Sequence, residues 1–114
     1  MAASPSSDSL AVAMNRLWVK HLPQMQERVA TLRVAAENLA NGTLTEAGQQ
    51  QAAADAHKLA GVLGTFGLKQ GTELAREAEA FYESTPDGIS TAAPRLSQIA
   101  RELHLMIANR TLSV

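Results

Sequence analysis

The sequence predicts an all-α fold: an antiparallel four-helix bundle with an additional short N-terminal helix. Apolar residues recur at three- and four-residue spacing over most of the chain, the period of a helix with one buried face. No segment alternates strictly between apolar and polar residues, and the turn signals lie too far apart for a β-sandwich. Ala and Leu dominate a hydrophobic fraction of 46%, with few aromatics, which favours helix over sheet. At 114 residues the chain makes one domain, able to bury roughly two-thirds of the surface its unfolded form exposes.

Residues 1–8 read as a disordered lead-in. The start, MAASPSSDSL, carries no Lys or Arg, and the apolar run LAVAM is only five residues long, so neither a signal peptide nor a membrane span is expected there. The first helix is predicted from Ser9, its cap, to His21, with Leu10, Met14, Leu17 and His21 on one face. Trp18 lies on the flank and packs this helix onto one end of the bundle. Pro23 marks a break, or the first turn of the second helix. That helix runs to Ala40 with a stripe of Leu22, Met25, Val29, Leu32, Ala36 and Leu39, and Asn41-Gly42 ends it. The third, capped by Thr43 or Thr45, runs from Thr45 to Gly64 with Ala52, Ala56, Leu59, Leu63 and Phe66 inward. The fourth spans Leu68 to Ser84, with Leu74, Ala78, Phe81 and Tyr82 inward. Pro86-Asp87-Gly88 is a turn. The fifth runs from Ser90 to Arg110, with Leu96, Ile99, Leu103, Met106 and Ile107 inward and Pro94 in its first turn or displacing its start. The bundle thus covers 9–110, and 111–114 form a tail.

Composition excludes several function classes. Net charge is −1, and the seven Arg and three Lys are scattered, so phosphate-driven nucleic-acid binding is not expected. There is no cysteine, which removes disulfides, thiol catalysis and Cys-based zinc sites and fits the cytoplasm. His21 and His104 lack a ligand-spaced partner, so no metal site is expected at either. No GxSxG, phosphate-binding loop, HExxH or paired-carboxylate constellation occurs, and the chain has no nucleotide-binding region that a kinase would need.

One stretch stands out: DAHKLAGVLGTFG, residues 55–67. With Leu59 at the centre of the core stripe, Ala52, Ala56, Leu63 and Phe66 fall within about 60° of it, and His57 falls at about 160°. His57 is therefore predicted to face solvent from mid-helix. Its neighbours Ala53, Ala54, Ala60, Gly61 and Gly64 are all small, where a solvated face normally carries Glu, Lys and Gln. Each glycine costs roughly 1 kcal/mol against Ala in a helix interior, and close approach of another body is one use that offsets it. His57 lies ten residues before Gly67 and Glu79 twelve after it. In an antiparallel hairpin the two reach similar heights, so the Glu79 carboxylate can accept a hydrogen bond from His57 Nδ1–H and leave Nε2 as the nucleophile. Lys58 and Lys69 offer positive charge for a phosphoryl group.

AHKLAGVLGTFGL resembles the signature of histidine-containing phosphotransfer domains of two-component phosphorelays. His57, Leu59, Gly61, Gly64 and Gly67 fit that register, and the likeness extends through GTELAREAE and the helix layout, over most of the chain. The resemblance implies that His57 accepts a phosphoryl group at Nε2 from an aspartyl phosphate on one receiver domain and passes it to another, with Glu79 orienting the ring. It implies response-regulator receiver domains and a hybrid sensor histidine kinase as partners, no kinase activity of its own, and no cofactor of its own, the receiver supplying Mg²⁺. Lys58, Gly61, Gly64, Lys69 and Ala60 would form the phosphate-binding and docking surface. The chain departs from the family at Ala60, where the family often has a Lys that contacts the phosphoryl oxygens. Lys58 points about 100° away on the wheel, and Lys69 or Arg76 could substitute.

Simpler readings compete at each position. His57 could be an ordinary surface histidine, Gly61 and Gly64 packing contacts, Gly67 a helix cap, and the charges of Arg76, Glu77 and Glu79 a solvated face. At the level of the whole chain, the alternative is a non-transferring adaptor that docks a receiver or helical partner. A helical dimerisation module is a further one. The expectation is a monomeric, cytoplasmic phosphotransfer protein that binds neither nucleic acid nor membrane.

Overall fold

The computed structural model describes residues 7–114. Its elements are α1 (Ser7–Ala40), α2 (Glu46–Thr65), α3 (Lys69–Tyr82), the single turn α4 (Pro86–Ile89) and α5 (Ala93–Leu112). No strand occurs among the described residues. Of the expected lead-in, residues 1–6 lie outside the described residues, and α1 begins at Ser7.

The separate N-terminal helix expected over Ser9–His21 is replaced by continuation of α1 through Pro23, giving one helix of 34 residues. Proline removes one helical hydrogen bond and costs about 3 kcal/mol in a helix interior. Two features offset this. Pro23 and Val19, whose carbonyl it leaves without a donor, are both exposed, so water can take that carbonyl. More important, the segment before the proline carries Trp18, which is fully buried. Its ring meets Phe66 edge-on at 5.0 Å, its Nε1 donates to Thr111 Oγ1 at 3.0 Å, and the Arg110 guanidinium lies 5.2 Å over it. Arg110 also donates to Asn15 Oδ1 at 2.9 Å. Burying an indole removes roughly 150–250 Å², about 4–6 kcal/mol at 25 cal/mol/Å². That exceeds the proline penalty, so the helix continues. The face expected for this segment shifts with it: Leu10 and Leu17 are 55% and 42% exposed, and the inward side centres on Trp18.

The cross-helix contacts fix the topology. Trp18, early in α1, touches the C-terminal ends of α2 and α5. Gln49, early in α2, bonds the end of α3. Arg95, early in α5, makes a two-pronged ion pair with Glu77 of α3 at 2.6 and 2.8 Å. Neighbouring helices therefore all run antiparallel, as the loops require. α2 packs chiefly on α3 and α1 chiefly on α5, so the α2–α3 and α1–α5 seams lie on opposite sides of the bundle. The core between them holds the expected stripes, including Met25, Leu32, Leu59, Leu63, Leu96, Ile99 and Leu103.

The α1–α2 and α2–α3 turns are each set by glycine. Gly42 (φ 71°) and Gly67 (φ 72°) adopt the left-handed conformation that ends a helix. Leu68 N–H then reaches back to the Leu63 carbonyl at 2.9 Å and closes α2. Thr45 caps α2, accepting from Gly48 N–H at 3.0 Å. The expected turn at Pro86-Asp87-Gly88 is one helical turn, capped by Thr85. Pro94 sits in the first turn of α5. No helix among the described residues is long and apolar enough to cross a membrane.

Candidate functional site

The amphipathic pattern of α2 buries Ala52, Ala56, Leu59 and Leu63, and this turns His57 outward. The His57 side chain is 74% exposed and Glu79 on α3 is 20% exposed. Their contact is short: His57 Nδ1 lies 2.8 Å from Glu79 Oε2. An ionised carboxylate can only accept, so Nδ1–H is the donor, and in the neutral ring this leaves the lone pair on Nε2. This is the pairing predicted from the hairpin register.

The pair borders a shallow groove of about 940 Å³ along the α2–α3 seam, whose walls include Gln49, Ala53, Ala54, Lys58 and Glu83. A second groove of about 380 Å³, between α1 and α2, is lined by Leu17, His21, Arg28, Lys58, Gly61 and Phe66 among others. Lys58 stands on the ridge between them and lines both. Gly61 is exposed, and a Cβ there would meet nothing within 4 Å. Gly64 is exposed too, with Thr72 Oγ1 3.4 Å from where its Cβ would lie. Neither glycine is needed to fit a neighbouring helix closely. Gly71 on α3 is more tightly enclosed: a Cβ there would fall 2.8 Å from Met106 Sδ and 3.1 Å from Leu63 Cδ1, so those side chains would have to shift.

Two expected members of the surface lie elsewhere. Ala60 is only 5% exposed, turned into the α2–α3 seam, and its carbonyl accepts from Thr72 Oγ1 at 3.1 Å. It is not part of the exposed small-residue face on which it was expected. Lys69 opens α3 past the end of α2 and lines neither groove. The eight residues from His57 to the end of α2 put that end about 12 Å further along the axis. The structure therefore brings together His57, Glu79 and Lys58, with Gly61 one turn on.

Sequence reasoning missed two polar residues that tie α2 to α3 near the site, and a third on the opposite side of α2. Gln49 Nε2 donates to the carbonyls of Tyr82 and Ser84 at 2.9 and 3.1 Å. Thr72 bonds Ala60 as described. Asp55 is 7% exposed on α2 and accepts from Gln51 Nε2 at 3.0 Å. Asp55 alone had a usable signal, since the wheel puts it about 40° from Leu59, on the core side. Tyr82 is buried in the bundle core with no hydrogen-bond partner for its hydroxyl among the described residues, and burial pushes its pKa up to about 12. The Glu77 carboxyl is held below its ordinary value chiefly by its hydrogen bond to Arg95. No group of three or more His, Asp or Glu among the described residues is placed to hold a metal ion.

Comparison with known proteins agrees with this geometry. Residues 16–112 match the family model described as the Hpt domain. The chain is 36% identical over 76 residues to Protein RcaC of Microchaete diplosiphon, an alignment covering 67% of this chain and 12% of that protein. No solved structure matches. The match over residues 16–112 leaves out only the first fifteen and the last two residues of the chain, and on that ground the chain belongs to the family of Hpt domains, the histidine phosphotransfer domains of two-component phosphorelays.

Proposed function

We propose that His57 is the phosphoacceptor. Its Nε2 lone pair attacks the phosphorus of an aspartyl phosphate on a receiver domain, the N–P bond forms as the acyl phosphate O–P bond breaks, and the aspartate leaves as a carboxylate. Glu79 accepts the Nδ1–H hydrogen bond throughout and stabilises the positive charge the ring acquires on phosphorylation. Transfer to a second receiver reverses these steps. Phosphoryl transfer needs in-line positioning and charge neutralisation more than covalent machinery. Lys58, on the groove rim, supplies one positive charge from this chain, and the partner receiver supplies Mg²⁺. The bare backbone at Gly61 lets the receiver surface close on the ring. A hybrid sensor histidine kinase upstream, a monomeric state and a cytoplasmic setting belong to the same reading.

The observation that carries it is an imidazole 74% exposed yet held at 2.8 Å by a carboxylate. The test is incubation with a receiver charged by acetyl phosphate. Wild type should acquire an acid-labile, base-stable phosphate, and His57→Gln should abolish it without changing the melting temperature. Labelling that survives His57→Gln rejects the assignment.

Ala60 supports a second reading, an adaptor that docks a receiver or helical partner without accepting phosphate. Binding of a receiver unaffected by His57→Gln, with no phosphate uptake by wild type, selects it.

A further inference from the structure

The buried faces of α2 and α3 mix small residues, Ala52, Ala56 and Ala60 on one and Gly71, Ala75 and Ala78 on the other, with larger ones such as Leu59, Leu63, Leu74 and Tyr82. Apolar burial is non-directional, and short side chains interlock weakly. The short turn at Gly67 sets the two helices roughly in register, and the small residues of the seam leave the final height of one helix on the other to directional contacts. The His57–Glu79 pair needs that height fixed, because an exposed ring has little packing to hold it.

Directional bonds bracket the pair on both sides. Two turns before Glu79 in α3, Thr72 Oγ1 donates to the Ala60 carbonyl at 3.1 Å. Just after Glu79, the Gln49 amide uses one nitrogen to donate to two carbonyls, Tyr82 at 2.9 Å and Ser84 at 3.1 Å. These carbonyls lie at the C-terminal end of α3, where helical donors run out. The donor that would pair with Tyr82 in a continuing helix belongs to residue 86, a proline, which has none. Gln49 thus caps α3 from another helix, on the wall of the groove that His57 borders.

We propose that Gln49 is a positioning residue for His57. By fastening the end of α3 to α2, with Thr72 as the second fastening, it sets the height at which Glu79 meets Nδ1, and so the tautomer and aim of the ring. The inference rests on His57 being the phosphoacceptor. It requires Gln49 to donate, so chemistry rather than size decides which replacement works. Gln49→Glu keeps the shape but turns an acceptor toward two carbonyls. Gln49→Lys changes the shape but keeps donors, and a cation suits a helix C-terminus.

Two readouts apply to each variant: imidazole ¹⁵N shifts of His57 with the ring neutral, and the single-turnover rate of phosphate uptake from a charged receiver. Glu79→Gln marks the limit without a carboxylate. Gln49→Glu should move the ¹⁵N shifts toward that limit and slow uptake about tenfold or more, the usual scale for a lost orienting partner. Gln49→Lys should stay near wild type in both. Thr72→Val, isosteric but without the hydroxyl, should move the shifts in the same direction as Gln49→Glu, and it carries the test if Gln49→Glu does not fold. Wild-type ¹⁵N shifts in folded Gln49→Glu and in Thr72→Val overturn the proposal. So does Gln49→Lys impaired as much as Gln49→Glu, since the residue would then act by its shape. The ¹⁵N readout needs no phosphate donor, so a wild-type protein that takes up no phosphate rejects the assignment of His57 and leaves the positioning result to be judged on its own.

Discussion

Gly61 offers a substitution in which stability and function should move in opposite directions. It lies inside α2, is exposed, and a Cβ there meets nothing within 4 Å. Gly61→Ala therefore adds no clash and removes the entropy penalty of a mid-helix glycine, about 1 kcal/mol. Unfolding entropy near 2.1 cal/mol/K per residue gives roughly 0.24 kcal/mol/K for a chain of this length, so the melting temperature should rise by about 4 °C. The Cβ would project into the open surface one turn from His57. If a receiver closes there, Gly61→Ala should slow phosphate uptake modestly, and Gly61→Leu, folded at least as well as wild type, should slow it severely. Thermal melts followed by circular dichroism, paired with single-turnover transfer, separate the two effects. A fall in melting temperature for Gly61→Ala would refute the reading of open space around it. Full transfer activity in Gly61→Leu would refute the claim that the glycine clears a docking surface.

Two further substitutions test the energetics of the scaffold. Pro23→Ala restores a hydrogen bond in an exposed part of α1 and should raise stability by up to about 3 kcal/mol in chemical denaturation; a loss would mean that the proline stabilises a bend the bundle requires. Tyr82→Phe removes a buried hydroxyl with no partner among the described residues and should be neutral or stabilising by about 1 kcal/mol. The same variant tests an alkaline effect. The folded pKa of Tyr82 is raised to about 12 from an ordinary 10, so the fold favours the neutral phenol. That contribution is fully present below pH 10 and is lost as pH rises from 10 through 12. Wild type should therefore lose stability faster than Tyr82→Phe over that window, and parallel curves would contradict the burial argument.

The helical period revealed the fold, because four faces of the chain each need an apolar partner and no strand pattern competes. The outward placement of His57 and the height of Glu79 were legible for the same reason: both follow from residue counting within regular helices joined by a short turn. What failed was whatever depended on energies between segments. Pro23 reads locally as a break, and only the distant contacts of Trp18 with Phe66 and Thr111 outweigh its penalty. Ala60 reads as a surface residue because a wheel treats the buried arc as fixed. Gly71 and Ala75 let α3 come close, widen the covered arc of α2 and take Ala60 inside. Gln49 and Thr72 carry no periodic signal at all, since each acts through a carbonyl of another helix.

Ala60 also bears on where the charge for phosphoryl transfer comes from. A long cation at this position would have to leave through the α2–α3 seam, yet here the seam is closed over a residue 5% exposed whose carbonyl is already bonded by Thr72. Lys58 remains exposed on the rim of a groove whose lining also includes Glu46, Glu79 and Glu83. A unit charge at 4 Å in water contributes only about 1 kcal/mol, and several times more once a partner excludes the water. The contribution of Lys58 therefore depends on docking. Under the proposed function, Lys58 in the free protein would do little to hold a phosphoryl group on His57, whereas in a complex it would act together with the charges the receiver brings. On that reading the domain would favour passing the group on over storing it, so Lys58→Ala should slow transfer within the complex far more than it shortens the lifetime of isolated phosphohistidine. Equal effects on both would place the neutralising charge on this chain alone.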